Sequence, residues 1–99
     1  MIKRIVKLSF QPQFVERFLE VFAYHRERIQ VFPGCQHIEL MRCKSPDHIF
    51  FTFSIWDNEE ALETYRQSEL FKNTWSKTKV LFSDRPEAWT VLLVKPPLC

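Results

Sequence analysis

The chain has 99 residues, of which 45% are hydrophobic and 15% aromatic, and its formal net charge is +2. This length predicts a single domain over residues 1–99, and the small net charge, with acids and bases interleaved, gives no indication of nucleic-acid binding. No apolar run reaches the roughly 18–20 residues that a membrane span needs, and the N-terminus lacks a signal-peptide pattern, so we expect a cytoplasmic protein.

The first third of the chain predicts a strand followed by a helix. Residues 2–10 alternate in hydrophobicity and are rich in Ile and Val, which is typical of a strand. Apolar residues then recur at spacings of three and four over residues 13–30, which predicts one buried face of a helix. Pro33 cannot continue this helix, and Gly34 permits the turn that follows it.

The middle of the chain predicts a β-hairpin, with "CQHIELMRC" and "HIFFTFSIW" as its two strands. If Leu40 lies opposite Phe51 and Ile38 opposite Phe53, one face of the hairpin is wholly apolar. The opposite face then carries a semi-polar and aromatic set, namely Cys35, His37, Glu39, Met41, Phe50, Thr52, Ser54 and Trp56.

Two helical stretches and a final strand are predicted after the hairpin. Asp57 is expected to cap a helix that runs to about Gln67, with Glu60 completing a capping box. Ser68 is expected to cap a second helix over residues 69–82. The sequence "AWTVLLVK" then predicts the last strand.

The predicted order is strand, helix, strand, strand, helix, strand, which is the α+β, ferredoxin-like split βαβ arrangement with a four-stranded antiparallel sheet. Two helices cover only one face of such a sheet. The other face, with Met41, Phe50 and Trp56 placed on it, is too aromatic to remain exposed. We therefore expect a homodimer that packs sheet against sheet.

The three cysteines are expected to be free thiols. Cys35 and Cys43 lie on one predicted strand, roughly 27 Å apart at about 3.4 Å per residue, whereas a disulfide needs Cα atoms within about 7 Å. No role is evident for Cys99.

Polar side chains alternate along the first hairpin strand, at Cys35, His37 and Glu39. His37 and Glu39 could form an acid–base pair, since histidine is the usual base near neutral pH. Alternatively, the cluster forms hydrogen bonds at an interface or holds a metal. The metal interpretation is the weakest because no second cluster of ligands exists in the sequence, and we expect no metal site.

The aromatic residues Tyr65 and Trp75 lie ten positions apart, close to three helical turns. They either pack in the core or, with Trp56, line a pocket in which the Tyr65 hydroxyl donates a hydrogen bond. A single glycine excludes a glycine-rich phosphate loop, so no nucleotide cofactor is expected.

The segments "FPGCQHIEL", "FSIWDNEEALETY" and "SELF" resemble the antibiotic biosynthesis monooxygenase superfamily, whose members are small dimeric α+β-barrel proteins. The resemblance covers nearly the whole chain. It implies a fold of that class and, among several activities in the family, cofactor-independent oxidation of polyphenols or quinols.

Several positions depart from the pattern that this resemblance implies. Thr52 stands where polyphenol-oxidising members have Asn, which makes Thr52 a candidate substrate-binding residue. Ser54 replaces a frequent Glu, and Leu70 replaces a frequent His. In the haem-degrading branch, the iron-ligating His corresponds to Trp75, which has no imidazole, so haem degradation of that type is not expected.

Two functions follow from the sequence. The first is a cofactor-independent monooxygenase acting on a small aromatic or quinol-like compound, with His37 and Tyr65 as catalytic residues and Thr52, Trp56 and Trp75 binding the substrate. The alternative is a non-catalytic dimeric protein that binds a small molecule in the same pocket. Because one fold hosts many functions, the position of His37 and Tyr65 relative to a cavity distinguishes the two.

Overall fold

A computed structural model describes residues 1–94 of the chain and shows a four-stranded antiparallel sheet with three helices on one face. The strands lie in the order β2-β3-β1-β4, which confirms the predicted ferredoxin-like α+β fold. In chain order, the elements are β1 (Ile2–Ser9), a 3-10 turn (Pro12–Phe14), α1 (Val15–Gln30), β2 (Cys35–Arg42), β3 (Ile49–Trp56), α2 (Glu59–Arg66), α3 (Glu69–Lys79) and β4 (Glu87–Val91).

The register of the β2–β3 hairpin differs by one residue from the prediction. Leu40 pairs with Thr52 and Ile38 with Ser54, so the predicted pairing of Leu40 with Phe51 is wrong. Alternation along β3 favours the wholly apolar face of Phe51 and Phe53, because Thr52 and Ser54 lie on the other face. The neighbouring strand β1 overrides this preference, because β1 presents its most buried apolar residues next to Phe50 and Trp56.

The core lies between this inner face of the sheet and the helices, in two adjoining clusters. Phe50 and Trp56, which the prediction placed on the uncovered face, are each only 1% exposed and lie at the centre of the two clusters. The first cluster contains Ile2, Ile29, Ile38, Trp56, Leu62 and Tyr65. The second contains Leu8, Phe10, Val15, Phe18, Phe50 and Leu81.

The N-cap of helix α2 lies one residue later than predicted. Asn58, and not Asp57, caps it, since the Asn58 side-chain oxygen accepts a hydrogen bond from the backbone N–H of Ala61 at 2.8 Å. Ser68 caps α3 as predicted, through a hydrogen bond from the N–H of Phe71 at 3.1 Å. These two caps fix the N-termini of α2 and α3.

Gly34 brings the start of β2 close to α2. Its φ of 88° lies in the left-handed region. A Cβ atom at this position would lie 2.5 Å from the Cβ of Ala61. The Gly34 carbonyl also accepts a hydrogen bond from the N–H of Asp57 at 2.9 Å, so the end of β3 is held at the same point.

The outer face of the sheet has no helix against it among residues 1–94, as the sequence predicted, although its members differ from those predicted. Met41 lies there as expected and is 42% exposed, and Trp89 on β4 is 46% exposed. The apolar side chains of this outer face are Ile5, Met41, Phe51, Phe53, Ile55, Trp89 and Val91.

Cys35 and Cys43 are both free thiols, as predicted. Cys99 lies outside the described residues. None of the helices within residues 1–94 has the length and apolar character required to cross a bilayer. The cytoplasmic location inferred from the sequence stays a prediction.

Candidate functional site

A cavity of about 110 Å³ lies between the inner face of the sheet and the helices. Four of the five site residues proposed from the sequence line it, namely Thr52, Trp56, Tyr65 and Trp75. The remaining lining residues are Arg4, Val6, Leu8, Phe18, Phe22, Ile29, Ile38, Ser54, Leu62, Arg66, Phe71, Thr74 and Thr78. The cavity therefore has mainly apolar walls with a small number of polar groups, as small-molecule sites usually have.

Aromatic side chains from three elements form one side of the cavity. Trp56 at the end of β3 stacks on Tyr65 of α2, with ring centroids 4.9 Å apart. Tyr65 contacts Phe71 of α3 edge-on at 5.3 Å. Phe71 in turn lies parallel to Trp75 at 5.8 Å. The two caps that position α2 and α3 thus position a continuous row of four rings.

The sheet contributes the polar groups Thr52 and Ser54 to the cavity. The Ser54 hydroxyl accepts a hydrogen bond from the indole N–H of Trp56 at 3.0 Å, which fixes the orientation of that indole. Thr52 lies two residues before Ser54 on the same inner face and is only partly buried. Thr52 is therefore a polar residue of the cavity wall that a ligand could contact.

The Tyr65 side chain is a neutral hydrogen-bond donor in this site. Burial raises the pKa of its phenol well above the usual value, and the nearby Cys35 thiol raises that pKa further. Among residues 1–94, no group bonds to the hydroxyl, and no fully buried side-chain nitrogen or oxygen lacks a partner, so the hydroxyl retains accessible surface. Tyr65 can therefore donate a hydrogen bond to a ligand, but it cannot act as a phenolate base near neutral pH.

Two arginines are the charged residues among those that line the cavity. Arg4 projects from the inner face of β1, where its neighbours on that face are Ile2 and Val6. Arg66 lies at the end of α2 and forms an ion pair with Glu63 at 3.4 Å. Neither arginine was proposed from the sequence. The signal for Arg4 was present, because a charged residue interrupts the alternating apolar positions of β1.

His37, the other catalytic residue proposed from the sequence, does not line this cavity. It lies on the outer face of the sheet, next to Phe53. Its Nε2 lies 3.1 Å from Oε1 of Glu39, within hydrogen-bond distance, and the two side chains are 45% and 46% exposed. The structure thus separates His37 from Tyr65 by the thickness of the sheet, and the two cannot act on one ligand in this cavity.

Among residues 1–94, no imidazole lines the cavity. His25 is buried within α1, where its Nδ1 donates to the Val21 carbonyl at 2.8 Å. Trp75 occupies the position that the family resemblance associates with an iron ligand, and its indole cannot replace that ligand. Within residues 1–94, no three His, Cys, Asp or Glu side chains are grouped as a metal site requires.

The sequence matches the family model for antibiotic biosynthesis monooxygenase over residues 1–76. The chain belongs to this family. No curated protein matches the chain in sequence.

Solved structures share the fold at low sequence identity. A crystal structure described as an antibiotic biosynthesis monooxygenase superposes with a TM-score of 0.90 at 17% identity, over 95% of this chain and 99% of that chain. A conserved Methanosarcina mazei protein gives a TM-score of 0.87 at 18% identity, covering 91% and 89% of the two chains. A Mycobacterium tuberculosis protein gives 0.86 at 13% identity, covering 95% of each chain. At such identities, the likeness establishes the fold alone.

Proposed function

We propose that this chain binds a small aromatic or quinol-like compound in the cavity and oxidises it with O₂ without a cofactor. The observation that carries the proposal is the cavity itself, whose wall is formed by Trp56, Tyr65 and Trp75. For comparison, an engineered apolar cavity of about 150 Å³ in another protein admits benzene. A cavity of about 110 Å³ that opens to the surface suits a single ring with its polar substituents at the mouth.

The proposed reaction draws its electrons from the substrate. A 1,4-dihydroxybenzene and O₂ give a hydroxyquinone and water: one oxygen atom is inserted into a ring C–H bond, and the other leaves as water. The ring supplies all four electrons that reduce O₂. The chain is required only to orient the ring, exclude water and stabilise negative charge on the ring oxygen.

Each residue of the site has a distinct role in this proposal. Trp56 and Trp75 hold the ring, and Thr52 binds one of its substituents. The neutral Tyr65 hydroxyl donates a hydrogen bond to a ring oxygen. Arg4 and Arg66 supply positive charge, which favours the ionised form of a substrate hydroxyl. His37 has no part in this reaction, because it lies on the other face of the sheet.

The alternative is a binding protein without catalysis, and one observation favours it. Among residues 1–94, the lining set contains no carboxylate and no imidazole, and its tyrosine is neutral, so no general base faces the ligand. A substrate would then have to lose its proton to solvent.

Oxygen uptake and ligand binding, measured separately, distinguish the two functions. We expect hydroquinones to be consumed with O₂ faster in the presence of the protein than in buffer, and Tyr65→Phe to slow that rate while ring binding persists. Binding without any increase in oxygen uptake would establish the non-catalytic alternative. If single-ring compounds neither bind nor react, both functions are excluded.

We also propose that two copies pack outer face against outer face as a homodimer. The support is the apolar outer face, on which Phe51 and Phe53 are half-buried and Trp89 is exposed in the single chain. Phe53→Asp places a charge at its centre and should give a monomer in sedimentation at micromolar concentration, whereas Lys72→Asp on α3 should leave the dimer intact. A wild-type chain that sediments as a folded monomer refutes this assembly.

A further inference from the structure

Arg4 lies on the inner face of β1, where the other side chains, Ile2, Val6 and Leu8, are apolar. It pairs with Ser54 of β3 and Thr90 of β4 on the inner face of the sheet. A guanidinium on that face loses part of its hydration, which is costly unless a partner compensates for it. An arginine at this position therefore favours a partner that balances its charge.

Residues 1–94 balance the positive charge at the cavity only in part. Within residues 1–94, the side chain of Arg4 is bonded only to a neutral group, the Thr90 hydroxyl, at 3.4 Å. Arg66 lies near enough to repel it, and the nearby Glu63 carboxylate is already paired with Arg66 at 3.4 Å. Within residues 1–94, Glu63 therefore pairs with Arg66, and no carboxylate pairs with Arg4.

The pKa of Arg4 is consistent with this geometry. Burial lowers the pKa, Arg66 lowers it further, and Glu63 only partly opposes these effects. An added anion between the two arginines would relieve both the repulsion and the lost hydration.

The proposed function takes the cavity as a site for a single ring, and the inference here rests on that function. We propose that the natural ligand is a single-ring aromatic carboxylate, whose ring lies against Trp56, Tyr65 and Trp75 and whose carboxylate is bound by Arg4 and Arg66. A planar guanidinium can present two parallel N–H donors to a carboxylate, which makes arginine well suited to this group. The Arg66 side chain is 46% exposed, so the carboxylate end of the ligand would remain near solvent while the ring is enclosed.

A matched pair of ligands tests the charge requirement. The acid 2,5-dihydroxybenzoate and its methyl ester share the quinol ring, and only the acid is ionised at its carboxyl group at neutral pH. Calorimetric titration of the wild-type protein should show the acid binding about tenfold or more tighter than the ester, as a hydrogen bond to a charged group provides. Raising the salt concentration should reduce this preference, since the site is partly exposed.

Substitutions at the two arginines test the location. Arg4→Gln and Arg66→Gln should each remove most of the preference for the acid, because the acid loses much more affinity than the ester. Arg26→Gln removes the same charge from the exposed side of α1 and should leave the preference intact. Near-UV circular dichroism on each variant verifies the fold, and the second arginine variant serves as the test if the first does not fold.

The outcomes separate this inference from the proposed function. Equal binding of acid and ester by the wild-type protein overturns the carboxylate inference and leaves the aromatic site in place. A preference for the acid that survives both Arg4→Gln and Arg66→Gln also overturns it. Binding of neither compound refutes the proposed ring site and the inference together.

Discussion

Two tryptophans line the cavity, and the same substitution at each should have different effects on stability. Trp56 is 1% exposed, stacks on Tyr65 at 4.9 Å and donates its indole N–H to Ser54 at 3.0 Å. Removing a fully packed aromatic ring costs about 3–5 kcal/mol, and the lost hydrogen bond adds about 1 kcal/mol. We therefore expect Trp56→Ala to lower the free energy of unfolding by about 5 kcal/mol.

Trp75 is only partly buried, and part of its surface faces the cavity and not other side chains. A buried aromatic covers about 150–250 Å². If about 80 Å² of that area is in contact here, the loss at about 25 cal/mol per Å² is about 2 kcal/mol. The parallel contact with Phe71 at 5.8 Å belongs to this packed side of the ring.

Urea denaturation at one fixed protein concentration measures the difference of about 3 kcal/mol between the two variants. With a slope of about 2 kcal/mol per molar urea, their midpoints should differ by about 1.5 M. Fixing the concentration matters because association contributes to apparent stability in any dimer. Equal and large losses at both positions would refute the reasoning, because Trp75 would then be ordinary core and the cavity would have no open side there.

Three further predictions concern the elements around the site. Gly34→Ala should lower the free energy of unfolding by about 2 kcal/mol or more, measured by thermal denaturation. An alanine is strained at φ of 88°, and its Cβ would lie 2.5 Å from the Cβ of Ala61. Asn58→Ala removes the cap of α2 and should lower the free energy of unfolding by about 1 kcal/mol in chemical denaturation. Asp57→Ala, at the cap position predicted from the sequence, should lower it less. The reverse order would contradict the assignment of Asn58 as the cap. Because the pKa of Tyr65 is raised in the folded state, the phenol of the unfolded chain ionises at a lower pH. The free energy of unfolding should therefore fall as the pH rises above about 10. Denaturation midpoints measured across this range should fall less steeply for Tyr65→Phe than for the wild-type protein.

Local sequence patterns were sufficient to predict the kind and order of the elements. The alternation of β1, the helical spacing of α1, the break at Pro33 and Gly34 and the cap at Ser68 are all present in the structure. These features depend on neighbours within a few residues, which is why they can be recognised without the fold. The uncovered sheet face also followed from the sequence, because two or three helices cannot cover both faces of four strands.

The faces of β3 were decided only by tertiary structure. Alternation favours the face of Phe51 and Phe53, because the face of Phe50 and Trp56 also carries Thr52 and Ser54. Pairing with β1 on one side and packing of the helices above determine which set is buried. The resulting shift of one residue in register moved Phe50 and Trp56 to the inner face and grouped His37 with Phe53 on the outer one.

The composition of the site was decided in the same way. Thr52, Trp56, Tyr65 and Trp75 could be proposed from the sequence, but their meeting around one cavity depends on how α2 and α3 lie across the sheet. Arg4 and Arg66 are 62 positions apart in the sequence, and no local pattern relates them. They line one cavity because the start of β1 and helix α2 share a core cluster, so the charge of the site arises only in the folded chain.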